Sequence, residues 1–141
     1  MKNINLTCLI EIAGAMHLVL ICAGALMPRA VNLRTHLAVL PPLIRQLYWV
    51  YYSFIGLCLV SFGIITVVFA GALASGSDLA RAMCAFLAAF WTLRLIVAAF
   101  VFDVRPYLAN WFWRFGYQAT NVVFVYLPIV YVVAACKKGM P

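Results

Sequence analysis

The residues able to do chemistry are few: ten basic and three acidic side chains, two histidines and five cysteines in 141 residues. Arg94 stands out among them. It lies inside WTLRLIVAAFVFDVRPY (Trp91 to Tyr107), an apolar stretch closed by Asp103, Arg105 and Pro106. A guanidinium has five donors and does not shed its charge, so at membrane depth it must find acceptors. At about 1.5 Å of rise per residue, Arg94 lies roughly 22 Å into its helix. By the same count His17, Tyr52, Gln118 and Asn121 approach its level from three other apolar runs, whereas Asp103 lies about 13 Å further along, too far for a direct pair. The layer of His17, Tyr52, Arg94, Gln118 and Asn121 has two readings. It is polar glue that fixes a helix bundle, or it is a site for an acceptor from outside, such as a quinone oxygen, a lipid phosphate or a carboxylate. In the second reading Arg45, Asp103 and Arg105 stand at its mouth, and His17 or Tyr52 exchanges protons.

Glu11 and Arg81 form a second candidate set. They lie about 7 Å and 3 Å from the same membrane face, so an intramembrane ion pair between them is matched in depth, and the stem of Arg81 is long enough to reach inward. Asp103 and Arg105 beside Pro106 read as a helix end and interface anchor. His17 and His36 are the only histidines. Haem ligation by both would require the loop carrying His36 to fold inward, which disfavours a haem cofactor. The cysteines Cys8, Cys22, Cys58, Cys84 and Cys136 form no C-x-x-C, and four of them sit in apolar runs as small hydrophobes, so no metal site is expected. H-E-x-x-H, G-x-S-x-G and P-loop motifs are absent.

The elements that must position these residues follow from composition. Hydrophobic residues make up 68% of the chain and charged residues 9%, and the mean hydropathy is +1.09. A soluble domain is about half apolar and a quarter charged, so the apolar surplus must face lipid. The net charge of +7 does not indicate nucleic acid, because the cations stand singly at the edges of apolar segments, as membrane-flanking cations do. Four runs are long enough to cross a hydrocarbon core of about 30 Å: Leu6 to Leu26, Tyr48 to Leu73, Leu79 to Phe102 and Gln118 to Ala135. The first resembles a signal peptide in length, but Glu11 falls within what would be its apolar core. Segments 31–46 and 106–117 read as interfacial. In the first, Leu33, Leu37, Leu40, Ile44 and Leu47 share a helical stripe, interrupted by Pro41-Pro42. In the second, aromatics gather as at a membrane boundary. Ser77 or Asp78 is placed to cap the third span, Gly14 and Gly24, Gly56 and Gly63, and Ala85, Ala88 and Ala89 mark close helix packing, and Pro128 should free a carbonyl in the fourth.

The fold expected is therefore all-α: a single membrane domain, a four-helix transmembrane bundle with short interfacial helices after spans one and three. Both termini and the Ser75 turn share one face, here the near side, and the two longer loops share the far side. Near-side Lys2, Arg81, Lys137 and Lys138 against far-side Arg29, Arg34, Arg45, Arg105 and Arg114 set no orientation by counting. The runs HLAVLPPLIRQLYWVYYSFIGL (His36 to Leu57) and RLIVAAFVFDVRPYLAN (Arg94 to Asn110) resemble an uncharacterised group of small bacterial four-span inner-membrane proteins. Span number and size are similar to those of the DoxX-like proteins. The resemblance implies a bacterial plasma membrane and carries no activity. Without a complete catalytic set, the chain reads as a non-enzymatic accessory or structural subunit of a larger membrane complex, or as a self-associating bundle. A quinone- or lipid-binding protein centred on Arg94 is the alternative.

Overall fold

The computed structural model describes residues 5–101 and 111–137. It is an all-α bundle. Helix α1 (Leu6–Ala30) leads through α2 (Leu33–Ala38) into α3 (Pro42–Val68) and α4 (Ala70–Leu73), followed by α5 (Asp78–Phe100) and α6 (Trp111–Cys136). The four long helices are each long and apolar enough to cross a membrane, and the chain is a multi-pass membrane protein.

Local chemistry sets most of the boundaries. The Asn5 side chain accepts from the Thr7 amide and starts α1, and Asn32, in the left-handed region at φ 47°, turns the chain between α1 and α2. Pro41 precedes α3 and Pro42 is its first residue, where a missing N–H costs nothing. The expected second span is divided at Phe69, which separates α3 from α4. On the near side, Gly76 takes φ 76° and Ser77 caps α5 by accepting from the Ala80 amide at 3.3 Å.

The interfacial segments differ from expectation in two respects. Leu33 to Ala38 does form its own short helix, but only Leu37 of the apolar stripe is buried; Leu40, Ile44 and Leu47 remain exposed. Residues 111–117 are the first two turns of α6 rather than a separate interfacial helix, because nothing between Trp111 and Gln118 breaks the helix. Residues 106–110, with Asp103 and Arg105, lie outside the described residues.

Neighbouring helices pair closely in the order α3, α1, α6, α5. Phe62 of α3 closes the open side with edge contacts to Phe86 and Phe90 of α5, ring centroids 6.0 and 5.2 Å apart. The core runs from Ile10, Ala13 and Leu20 of α1 through Cys84, Leu87 and Trp91 of α5 to Leu127, Tyr131 and Ala134 of α6. Helix α3 contributes little to it, being the most lipid-exposed of the four, and is held mainly by its crossing with α1. That crossing is set by glycine. A Cβ on Gly14 would run into Val67 Cγ2 and come within 3.1 Å of the Val67 backbone nitrogen, and one on Gly63 would lie 3.0 Å from His17 Cβ. In lipid there is no hydrophobic drive between helices, so such close backbone contact supplies the attraction.

Overpacking at a backbone contact typically costs about 1–3 kcal/mol. Gly14→Ala should therefore lower the unfolding free energy in mild detergent by that amount. Gly24→Ala, where an added Cβ meets nothing within 4 Å, should leave it unchanged or slightly raised. Equal melting behaviour of the two variants would contradict the crossing described.

Candidate functional site

The residues of the expected polar layer divide between the core and the surface. His17 is fully buried on α1. Its Nδ1 lies 2.8 Å from the Ala13 carbonyl oxygen, which only a protonated nitrogen can approach as donor, so the lone pair is on Nε2. The ring meets Trp91 of α5 edge-on, centroids 5.3 Å apart, and its Cβ sits against Gly63 of α3. Trp91 in turn faces Phe124 of α6 at 6.0 Å, and the Arg94 guanidinium lies 5.8 Å from the Phe124 centroid. His17 and Arg94 are thus joined through two aromatic rings rather than by contact. Arg94 is exposed on the outer surface of α5 beside α6, stacked in a cation–π arrangement. The phenylalanine beneath it is the residue whose carbonyl Pro128, four positions on, cannot bond.

Tyr52 belongs to the other side of the bundle. Its hydroxyl donates to the Gly24 carbonyl of α1, and its ring stacks on Tyr48, centroids 6.1 Å apart. The sequence explains why that carbonyl is available. Pro28 has no N–H to return to Gly24 four residues back, and in lipid a freed carbonyl must be satisfied by a neighbour. Gln118 is exposed and Asn121 half-buried on α6. Each lines a shallow cleft: about 460 Å³ between Trp111, Arg114, Phe115, Tyr117 and Gln118, and about 440 Å³ along Asn121, Val122, Val125, Tyr126 and Ile129. Arg94, His17 and Tyr52 line neither.

Arg81 takes partners other than Glu11. Its Nε donates to the Ala135 carbonyl at 3.2 Å and its Nη1 is 3.8 Å from Asp78 Oδ1, while Glu11 is exposed. The depth match is sound, but α1 packs mainly on α3 and α6 and α5 mainly on α6, so that α1 and α5 meet across the core at His17 and Trp91 while Glu11 lies on an exposed face. Lys137 acts in the same manner as Arg81, donating from Nζ to the Ala74 carbonyl at 2.9 Å. Both cations satisfy carbonyls left open at helix C-termini, where the helix dipole also favours positive charge. Arg45, expected at the far-side mouth, is exposed in the first turn of α3.

Two polar contacts in the core were not anticipated. Thr66 Oγ1 and the Tyr131 hydroxyl share a buried hydrogen bond of 2.8 Å between α3 and α6, and the Tyr126 hydroxyl donates to the Leu9 carbonyl at 3.1 Å. Thr66 and Tyr131 lie within about one helical turn of each other in depth by residue count, which is the signal that pairs them. The resulting interior is closely packed. Among its buried side chains, His17 Nε2 and Trp91 Nε1 have no hydrogen-bond partner among the described residues.

Fold and site together define a multi-pass membrane protein with a closed aromatic core and its one mid-span arginine on the outside. The chain matches no protein-family model, no curated protein and no solved structure.

The Pro28–Gly24–Tyr52 arrangement carries its own test. Tyr52→Phe should destabilise the bundle by about 0.6–1.7 kcal/mol, the range for interhelical hydrogen bonds in membranes. In a Pro28→Ala background the restored backbone N–H takes the Gly24 carbonyl, and the same change should cost close to nothing. Additive effects in the double-mutant cycle, followed by unfolding in detergent, would rule the arrangement out.

Proposed function

We propose that this protein is a non-enzymatic structural or accessory component of a larger membrane assembly, and on the sequence resemblance we place it in a bacterial plasma membrane. The observation that carries the reading is the contrast between core and surface. Tyr52, Thr66, Tyr126 and Tyr131 spend their hydroxyls on bonds between helices, which is the work of polar glue. The outer face of α5 and α6 is apolar instead: Leu93 and Ile96 of α5 and Val125 of α6 are exposed around Arg94, whose cation lies over the Phe124 ring. A charge on such a face is costly in lipid. A neighbouring subunit, whether a second copy or a different chain, lowers that cost by covering the face and removing the charge from lipid.

The same exposure supports a second reading, in which the acceptor is a lipid phosphate or a quinone oxygen held against Arg94 and Phe124. His17 lies behind Trp91, and the Tyr52 hydroxyl is engaged on α1, so this form of the site uses Arg94 without them.

Native mass spectrometry of protein extracted in a mild detergent separates the two. The assembly reading predicts a stoichiometric partner chain or second copy, and loss of that species in Arg94→Leu while the variant retains its helical content and melting temperature. A single lipid or quinone species retained by the wild type and lost in Arg94→Leu would replace it with the ligand reading. A partner kept by Arg94→Leu would show that this face is not where the assembly forms.

A further inference from the structure

The two ends of the bundle carry charge differently. Among the described residues, Glu11, Asp78, Arg81 and Lys137 lie toward the near end, two acids with two bases, and both bases are engaged on helix C-terminal carbonyls. The far end carries Arg29, Arg34, Arg45 and Arg114, all exposed, with no acid among the described residues there. Outside the described residues, Asp103 and Arg105 add one charge of each sign at the far end and Lys2 and Lys138 add two bases at the near end, giving five bases to one acid at the far end and four bases to two acids at the near end. Every far-end cation is arginine, the side chain whose planar fork fits phosphate.

One of these arginines stands in a cleft. Trp111, Arg114, Phe115 and Gln118 follow the spacing of a single helix face, and with Tyr117 they line about 460 Å³ at the far end of α6. Trp111 and Phe115 stack with ring centroids 5.9 Å apart, forming an apolar wall at the level where aromatics meet lipid headgroups. Arg114 supplies a fixed positive charge, and Gln118, one turn deeper, supplies an amide able to donate or accept. Cation above, amide below and aromatic wall beside match a lipid phosphate, its glycerol oxygens and the start of its acyl chains.

We propose that this cleft binds the headgroup of an anionic phospholipid, with Arg114 on the phosphate, and that the far end faces a leaflet containing such lipids. Arg94 does not line the cleft, and the site stands whether or not the protein has a partner subunit.

The probes are phosphatidylglycerol and phosphatidylcholine of identical acyl chains, titrated into delipidated protein and followed by native mass spectrometry. The wild type is expected to take up one phosphatidylglycerol more tightly than phosphatidylcholine. Arg114→Gln should weaken that first binding about fivefold, the effect of one cation near a membrane surface, and leave phosphatidylcholine unchanged. Arg34→Gln removes the same charge from the same end outside the cleft and should leave the first site intact. Gln118→Leu, which keeps every charge, should also weaken it and serves if Arg114→Gln fails to fold. Equal binding of the two lipids would overturn the proposal, as would equal weakening by Arg34→Gln and Arg114→Gln, which would make the effect a diffuse field.

Discussion

The close approach of α1 and α3 at Gly14 and Gly63 is the constraint on which the rest of the bundle depends. Helix α3 buries little of its surface, and most of its apolar side chains point to lipid. Lipid tails are as apolar as leucine, so burial gives α3 no reason to stay. What remains is contact between backbones, and glycine on both helices is what permits it. The crossing also fixes His17. With Gly63 against its Cβ and Ala13 holding Nδ1, the imidazole is directed onto the edge of Trp91. From there aromatic contacts run to Phe90 and Phe124, so one glycine pair settles how α3 and α1 meet the α5–α6 pair.

Polar groups then sort by whether the bundle can use them. Helix ends and proline-freed carbonyls are internal demands, and the chain meets them with its own side chains: Arg81 and Lys137 at the near end, Tyr52 at Gly24. Glu11 has no such role and stays at the surface near the start of α1. Arg94 is the informative case. It lies about one turn beyond Trp91, the last buried residue of α5, and the Phe124 ring alongside gives the cation a compatible surface without enclosing it.

Much of this was legible in the sequence, and the remainder shows where such reading stops. Apolar run length gave the four long helices, although α3 and α6 begin well before the expected Tyr48 and Gln118 and the second run breaks at Phe69; the Ser77 cap was visible as a residue type, and of the four glycines expected at close contacts Gly14 and Gly63 make them while Gly24 and Gly56 do not. Position along each helix was also legible, because rise per residue is nearly constant. Direction around each helix was not. Glu11 and Arg81 matched in depth, but Glu11 lies on an exposed face of α1. His17 and Arg94 are close in depth, yet one faces Gly63 and the other faces outward. In an apolar chain every face is hydrophobic, so the periodicity that orients a soluble helix toward its core is absent. The role of Pro28 was missed for a related reason: a freed carbonyl is visible in sequence, but the hydroxyl that reaches it comes from another helix.

The central claim is that the interior around His17 and Trp91 is sealed. Hydrogen exchange of the tryptophan indole N–H groups, followed by NMR in detergent and assigned through a Trp91→Phe variant, tests it most directly. A sealed core predicts that the Trp91 signal persists long after that of exposed Trp111 has been lost to deuterium. Exchange of Trp91 as fast as that of Trp111 would mean that water reaches His17, and would contradict the sealed core.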